Sequence, residues 1–141
     1  MSTLERAIAL AALAHEGQLD KAGVPYILHP LRVMLRLAGT EERIVGVLHD
    51  VVEDCGWTLQ RLQEEGFSGV VIMAVDAVSR RPGESYEDFI SRAAGNHIGR
   101  LVKLADLEDN CDMGRLGSVT DQDLRRLEKY QRAMSILRKS P

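Results

Sequence analysis

Apolar residues recur every three or four positions along most of the chain, the spacing of helices that each bury one face. Ser2-Thr3-Leu4-Glu5 reads as a capping box opening a first helix to about His15. The stretch GQLDKAGVPYIL holds two Gly and a Pro and predicts a loop or irregular hairpin. Pro30 suits the first turn of a helix running to Ala38, with Gly39 ending it. Thr40 then caps a helix to about Asp54, with Glu41 and Glu42 in the first turn, where the macrodipole favours them. Thr58 to Glu65 predicts a short helix closed by Gly66. The Val- and Ile-rich stretch from Ser68 to Ser79 would suit a strand, but no partner strand is evident, so it reads as a buried helix. A loop follows at Arg80 to Gly83, then a second capping box at Ser85-Tyr86-Glu87-Asp88. The last helices are expected from about His97 to Met113 and from about Asp121 to Arg138. The expectation is an all-α fold, a single compact helical bundle over residues 1–141.

Composition sharpens this. Aromatics make up only 4% of 141 residues against 45% hydrophobic, so the core must be Leu, Val, Ile, Ala and Met, which favours helix packing over a sandwich. A net charge of −3 argues against general nucleic-acid binding, which needs a dense basic surface. Glu5 and Arg6 interrupt the first apolar stretch, which lacks a signal-peptide or membrane-span layout. Cys55 and Cys111 form no CxxC pair, so a zinc ribbon or disulfide framework is not expected and a reducing, cytoplasmic compartment is the simpler reading.

Several ionisable residues stand where the core pattern expects apolar ones. In IVGVLHDVVEDC, His49 and Asp50 lie among Ile44, Val47, Leu48, Val51 and Val52. On a continuous helix His49 shares a face with Glu53, and Asp50 with Asp54. No Lys or Arg lies between Ile44 and Cys55 to compensate these carboxylates, so a bound cation is the economical source of positive charge. In LVKLADLEDN, Asp106 is embedded in an apolar run, with Lys103 one turn before it and Asn110 one turn after. His29 precedes Pro30 in YILHP. Two imidazoles and two carboxylates suit a divalent ion such as manganese, iron, zinc or cobalt, and do not fix which. Each residue alone has a plainer reading: His49 as a core histidine, Asp106 as the i,i+3 partner of Lys103, Lys21, Arg80 and Arg81 as solvated, Tyr26 as core packing, Cys55 and Cys111 as inert thiols.

The motifs also match a family in order. AHEGQLDKAGVPYILHPLRV, then VLHDVVED with Thr58 and Leu59, then VKLADLEDN resembles the hydrolase domain of RelA/SpoT-type enzymes and their small stand-alone relatives, within the HD superfamily of phosphohydrolases. The resemblance runs from about Ala7 to Asn110. It implies metal ligands at His29, His49, Asp50 and Asp106, with manganese the expected ion. It implies a catalytic Glu-Asp pair at Glu53 and Asp54, and nucleotide contacts at Lys21 and Asn110; Tyr26 and Lys103 are added as candidate substrate contacts. It implies removal of the 3′-diphosphate of ppGpp and pppGpp. No synthetase-like segment follows the match, so hydrolysis alone is expected. Two positions depart from the family pattern: Asp20 and Leu107 stand where basic residues are usual. They keep open a second substrate reading, a nucleoside monophosphate or NADPH. A third reading is an antitoxin-like binding module with a toxin or synthetase partner. A homo-oligomer is also open.

Overall fold

In a computed structural model, residues 2–112, 114 and 116–139 are described. The order is α1 (Leu4–Ala14), α2 (Leu28–Leu35), α3 (Thr40–Leu48), α4 (Val51–Asp54), α5 (Leu59–Glu64), α6 (Gly69–Ala77), α7 (Tyr86–Ala94), α8 (His97–Asn110) and α9 (Asp121–Lys139). Among the described residues there is no strand; one isolated bridge, Leu19 to Pro25, closes the irregular hairpin that two Gly and a Pro predict. The Val-rich stretch is helical: Ser68 caps it by accepting from the Val71 N–H at 3.2 Å, and its Val71, Ala74 and Val75 are buried.

The cap positions differ from the sequence reading by one residue at two places. Thr3 rather than Ser2 caps α1, accepting from the Arg6 N–H at 3.2 Å. Ser2 instead holds the end of α5: its N–H donates to the Gly66 carbonyl at 2.9 Å and its hydroxyl to the Glu65 carbonyl. Gly39 caps α3, and Glu42 reaches back to its N–H at 3.3 Å, so Thr40 is already helical. α2 ends at Leu35, short of Ala38, and starts at Leu28, so His29 lies inside its first turn rather than before it. α8 ends at Asn110; the expected end, Met113, lies outside the described residues.

The larger correction concerns the helix expected to run from Thr40 to Asp54. It breaks after Leu48, and α4 begins at Val51. The Nδ1–H of His49 donates to the Gly46 carbonyl at 2.6 Å. That carbonyl is the one the Asp50 N–H would use in a continuing α-helix, so the side chain competes with the backbone at this turn.

Two apolar clusters hold the bundle. The larger joins α1 to α6 and α8 through Ala7, Val33, Val45, Leu48, Leu62, Val75 and Val102. The smaller joins α7, α8 and α9 through Ile90, Ala93, Leu107, Ala133 and Leu137. Gly46 lets α3 approach α2: a Cβ there would stand 2.8 Å from Leu37 Cδ1 and 3.4 Å from Met34 Cα. That close approach brings His29 on α2 opposite His49.

Candidate metal centre and active site

The structure brings His29, His49, Asp50 and Asp106 together from α2, the α3–α4 turn and α8. One ligand atom each from His29, His49 and Asp50 lies within 4.8 Å of the others. Asp106 Oδ1 stands 2.9 Å from His29 Nε2 and 3.3 Å from His49 Nε2. Asp50 Oδ2 is 3.1 Å from His49 Nε2 and 3.9 Å from His29 Nε2. His29, His49 and Asp106 are buried.

The donor set fits a cation. Both imidazoles spend Nδ1–H on an outer acceptor: His49 on the Gly46 carbonyl at 2.6 Å, His29 on Asp109 Oδ2 at 2.6 Å. In the neutral rings each Nε2 then offers a lone pair. Those lone pairs face carboxylate oxygens, acceptor against acceptor, and His49 Nε2 is buried with no hydrogen-bond partner. Added positive charge answers this conflict, and the surroundings of the centre favour it. Burial works against charging His49, and Asp50 and Asp106 overcome it, raising its pKa well above the usual value. Burial opposes ionisation of Asp106 likewise, and Lys103 and His49 hold its pKa well below the carboxylate range. A divalent ion would supply the same positive charge to all four groups at once.

Neighbouring contacts orient each of these side chains. Lys103 Nζ donates to Asp106 Oδ2 at 2.8 Å and Asn110 Nδ2 to Asp106 Oδ1 at 3.1 Å. The Tyr26 hydroxyl donates to Asp50 Oδ2, and its ring meets those of His15 and His29. Asp109, which the sequence reading passed over, is buried and fixes His29; Arg32 grips it with Nε at 2.8 Å and a terminal nitrogen at 3.0 Å. The signal was present, since Asp109 lies one turn beyond Asp106 in the same apolar helix.

The break at His49–Asp50 separates the two expected catalytic carboxylates from a shared stripe. Glu53 is exposed, and its Oε1 accepts from the Arg80 N–H at 2.7 Å. Asp54 keeps its backbone bond to the Asp50 carbonyl at 2.9 Å. Asp54 is exposed as well, and desolvation, then Asp50 and Glu53, push its pKa up to about 6.

A cavity of about 350 Å³, lined by Asp20, Lys21, Tyr26, Asn110, Arg126 and Tyr130 among others, reaches the centre through Tyr26 and Asn110, which bond Asp50 and Asp106. Lys21 is exposed at its rim, 3.8 Å from Asp123. Asp20 lines it too, but its Oδ1 is occupied by the Ala22 and Val24 N–H groups at 2.8 and 3.2 Å, holding the turn. Leu107 is fully buried in the smaller apolar cluster and lies outside this lining. Its departure from the family pattern is therefore a packing choice. Arg126 and Tyr130 come from α9, beyond the motif-bearing stretch, and the sequence reading did not single them out.

No protein-family model matches the chain. Curated relatives do. The chain is 34% identical over 135 residues to a guanosine-3′,5′-bis(diphosphate) 3′-pyrophosphohydrolase of Haemophilus influenzae, covering 85% of this chain and 20% of that protein. It is 33% identical over 141 residues to the bifunctional (p)ppGpp synthase/hydrolase SpoT of Escherichia coli K12, covering 89% and 20%. It is 34% identical over 119 residues to a probable GTP pyrophosphokinase of Mycobacterium leprae, covering 75% and 15%. The chain thus spans a fifth or less of these relatives' length. Among solved structures it superposes with a TM-score of 0.79, at 22% identity, on a metazoan ortholog of SpoT described as hydrolysing ppGpp, covering 99% of this chain and 88% of that one. In sequence and in fold, the chain belongs to the HD superfamily, in its RelA/SpoT-type group.

Proposed function

We propose that the chain hydrolyses guanosine alarmones, removing the 3′-diphosphate of ppGpp or pppGpp to leave GDP or GTP and pyrophosphate. The observation that carries this is the meeting of His29, His49, Asp50 and Asp106, with the orphaned His49 Nε2, beside a cavity of nucleotide size. Those four residues would hold a divalent ion, manganese first. Bound there, it supplies Lewis acidity towards phosphorus and lowers the pKa of the attacking water.

The chain's own groups do the rest. Asp54, whose raised pKa reflects desolvation and then the nearby Asp50 charge, would take a proton from water, while Glu53 holds the loop at Arg80 through its backbone N–H. Water adds to the phosphorus bound to O3′, the P–O3′ bond breaks, and O3′ takes a proton. Lys103 keeps Asp106 ionised and oriented. Tyr26, Lys21 and Asn110 line the space for the nucleoside.

The test is chromatographic. The manganese-loaded protein is incubated with ppGpp, a nucleoside monophosphate and NADPH. Release of GDP and pyrophosphate from ppGpp, abolished in Asp50→Ala, is expected. Turnover of another nucleotide in preference, or none, would overturn the substrate.

A further inference from the structure

Beyond the metal-facing residues, positive charge gathers around Tyr86, and part of it has no carboxylate partner. Lys129 Nζ lies 3.9 Å from the centre of the Tyr86 ring and the Arg80 guanidinium 5.8 Å from it. Lys103 Nζ lies 4.8 Å from the Phe89 ring, which meets Tyr86 edge-on at 6.3 Å. The Tyr86 hydroxyl is buried with no hydrogen-bond partner among the described residues.

Other basic side chains nearby are neutralised: Arg92 by Glu84 at 2.7 Å, Arg81 by Asp76 at 2.9 Å, Lys103 by Asp106 at 2.8 Å. Among the described residues, neither Lys129 nor the Arg80 guanidinium has a carboxylate within ion-pair reach. Burial and then Arg80, Lys103 and Arg126 depress the Lys129 pKa, so the charges that weigh most on it are positive. A cation–π contact explains one cation on an aromatic face. It does not explain two cations without carboxylate partners on one ring whose hydroxyl is buried without a partner. An anion answers both. Lys103 joins this patch to Asp106, so the anion would lie next to the metal centre.

We propose that Lys129 and Arg80, with the Tyr86 hydroxyl, form a second anion subsite that takes the outer phosphate of a diphosphate whose inner phosphate sits at the His29–His49–Asp50–Asp106 centre. Lys129 thereby selects a diphosphate over a monophosphate. The proposal rests on reading that centre as a phosphohydrolase and does not depend on which base the nucleotide carries.

Calorimetric titration of the manganese-loaded protein with inorganic pyrophosphate and with orthophosphate tests it. The wild type is expected to bind pyrophosphate at least about tenfold more tightly, as one charge-assisted hydrogen bond implies. Lys129→Met and Arg80→Ala should each lose about tenfold or more on pyrophosphate and leave orthophosphate unchanged, while Lys129→Arg keeps the preference. Equal affinity of the wild type for the two anions, no pyrophosphate binding, or an unchanged preference in Lys129→Met overturns the subsite. Failure of ppGpp turnover with the Lys129-dependent preference intact overturns only the alarmone reading. Turnover with no such preference overturns only the subsite.

Discussion

At the scale of single residues, the centre depends on which nitrogen each imidazole leaves free. Asp109 and the Gly46 carbonyl make that choice, and Arg32 keeps Asp109 charged and still. Replacing Asp109 by Asn keeps its volume and removes its charge. The expected result is roughly 10- to 100-fold weaker manganese binding by titration, the usual cost of losing such an outer partner, with unchanged helix content by circular dichroism. Unchanged metal affinity would mean that Asp109 serves packing alone. The two departures from the family pattern also separate at this scale. Leu107 belongs to the apolar core, whereas Asp20 shapes the turn that carries Lys21 to the cavity rim. Neither environment could be read from a linear motif.

At the scale of elements, helix existence followed from periodicity and caps. Even the Val-rich α6 follows, because it lacks any strand to pair with and has Ser68 to cap it. Where the reading failed was at the functional turn. A side chain that bonds its own helix's carbonyl is invisible to hydrophobic spacing, so one long helix was expected where α3 and α4 meet at His49 and Asp50. The break matters because it moves Glu53 out towards Arg80. The close approach of α3 to α2 yields a second prediction at this scale. In Gly46→Ala the new methyl meets the mobile end of Leu37, and the gain in helix propensity offsets the crowding. Gly46→Val has no such escape against the Met34 backbone and should destabilise by about 1–3 kcal/mol, a typical overpacking cost. Urea unfolding of the two variants checks this; equal midpoints would show that α2 moves aside freely.

At the scale of the whole molecule, the centre ties together segments about 80 residues apart: His29 meets Asp106 and Asp109 across separations of 77 and 80. A ligand bound by such a set stabilises the folded state, because the unfolded chain cannot assemble it. Manganese at a hundredfold excess over its dissociation constant should contribute about 2.7 kcal/mol. For a domain of this size that raises Tm by roughly 5–10 °C in differential scanning calorimetry, and a chelator should reverse it. His49→Ala should abolish the metal-dependent shift. A shift that persists in that variant would place the metal elsewhere.

The chain order of residues was enough to determine an all-α fold and to single out His29, His49, Asp50 and Asp106 as candidate metal ligands, because helical periodicity and charges misplaced in apolar runs are local properties. The family wording of the motifs supplied the expected chemistry. Only the tertiary structure decided what surrounds them: the Nε2 lone pairs turned inward by Asp109 and Gly46, the cavity wall that α9 brings with Arg126 and Tyr130, and the uncompensated cations over Tyr86. Each of these depends on which faces of distant helices meet. That is set by packing across the core, where a side chain larger than a methyl at Gly46 would meet the Met34 backbone of α2.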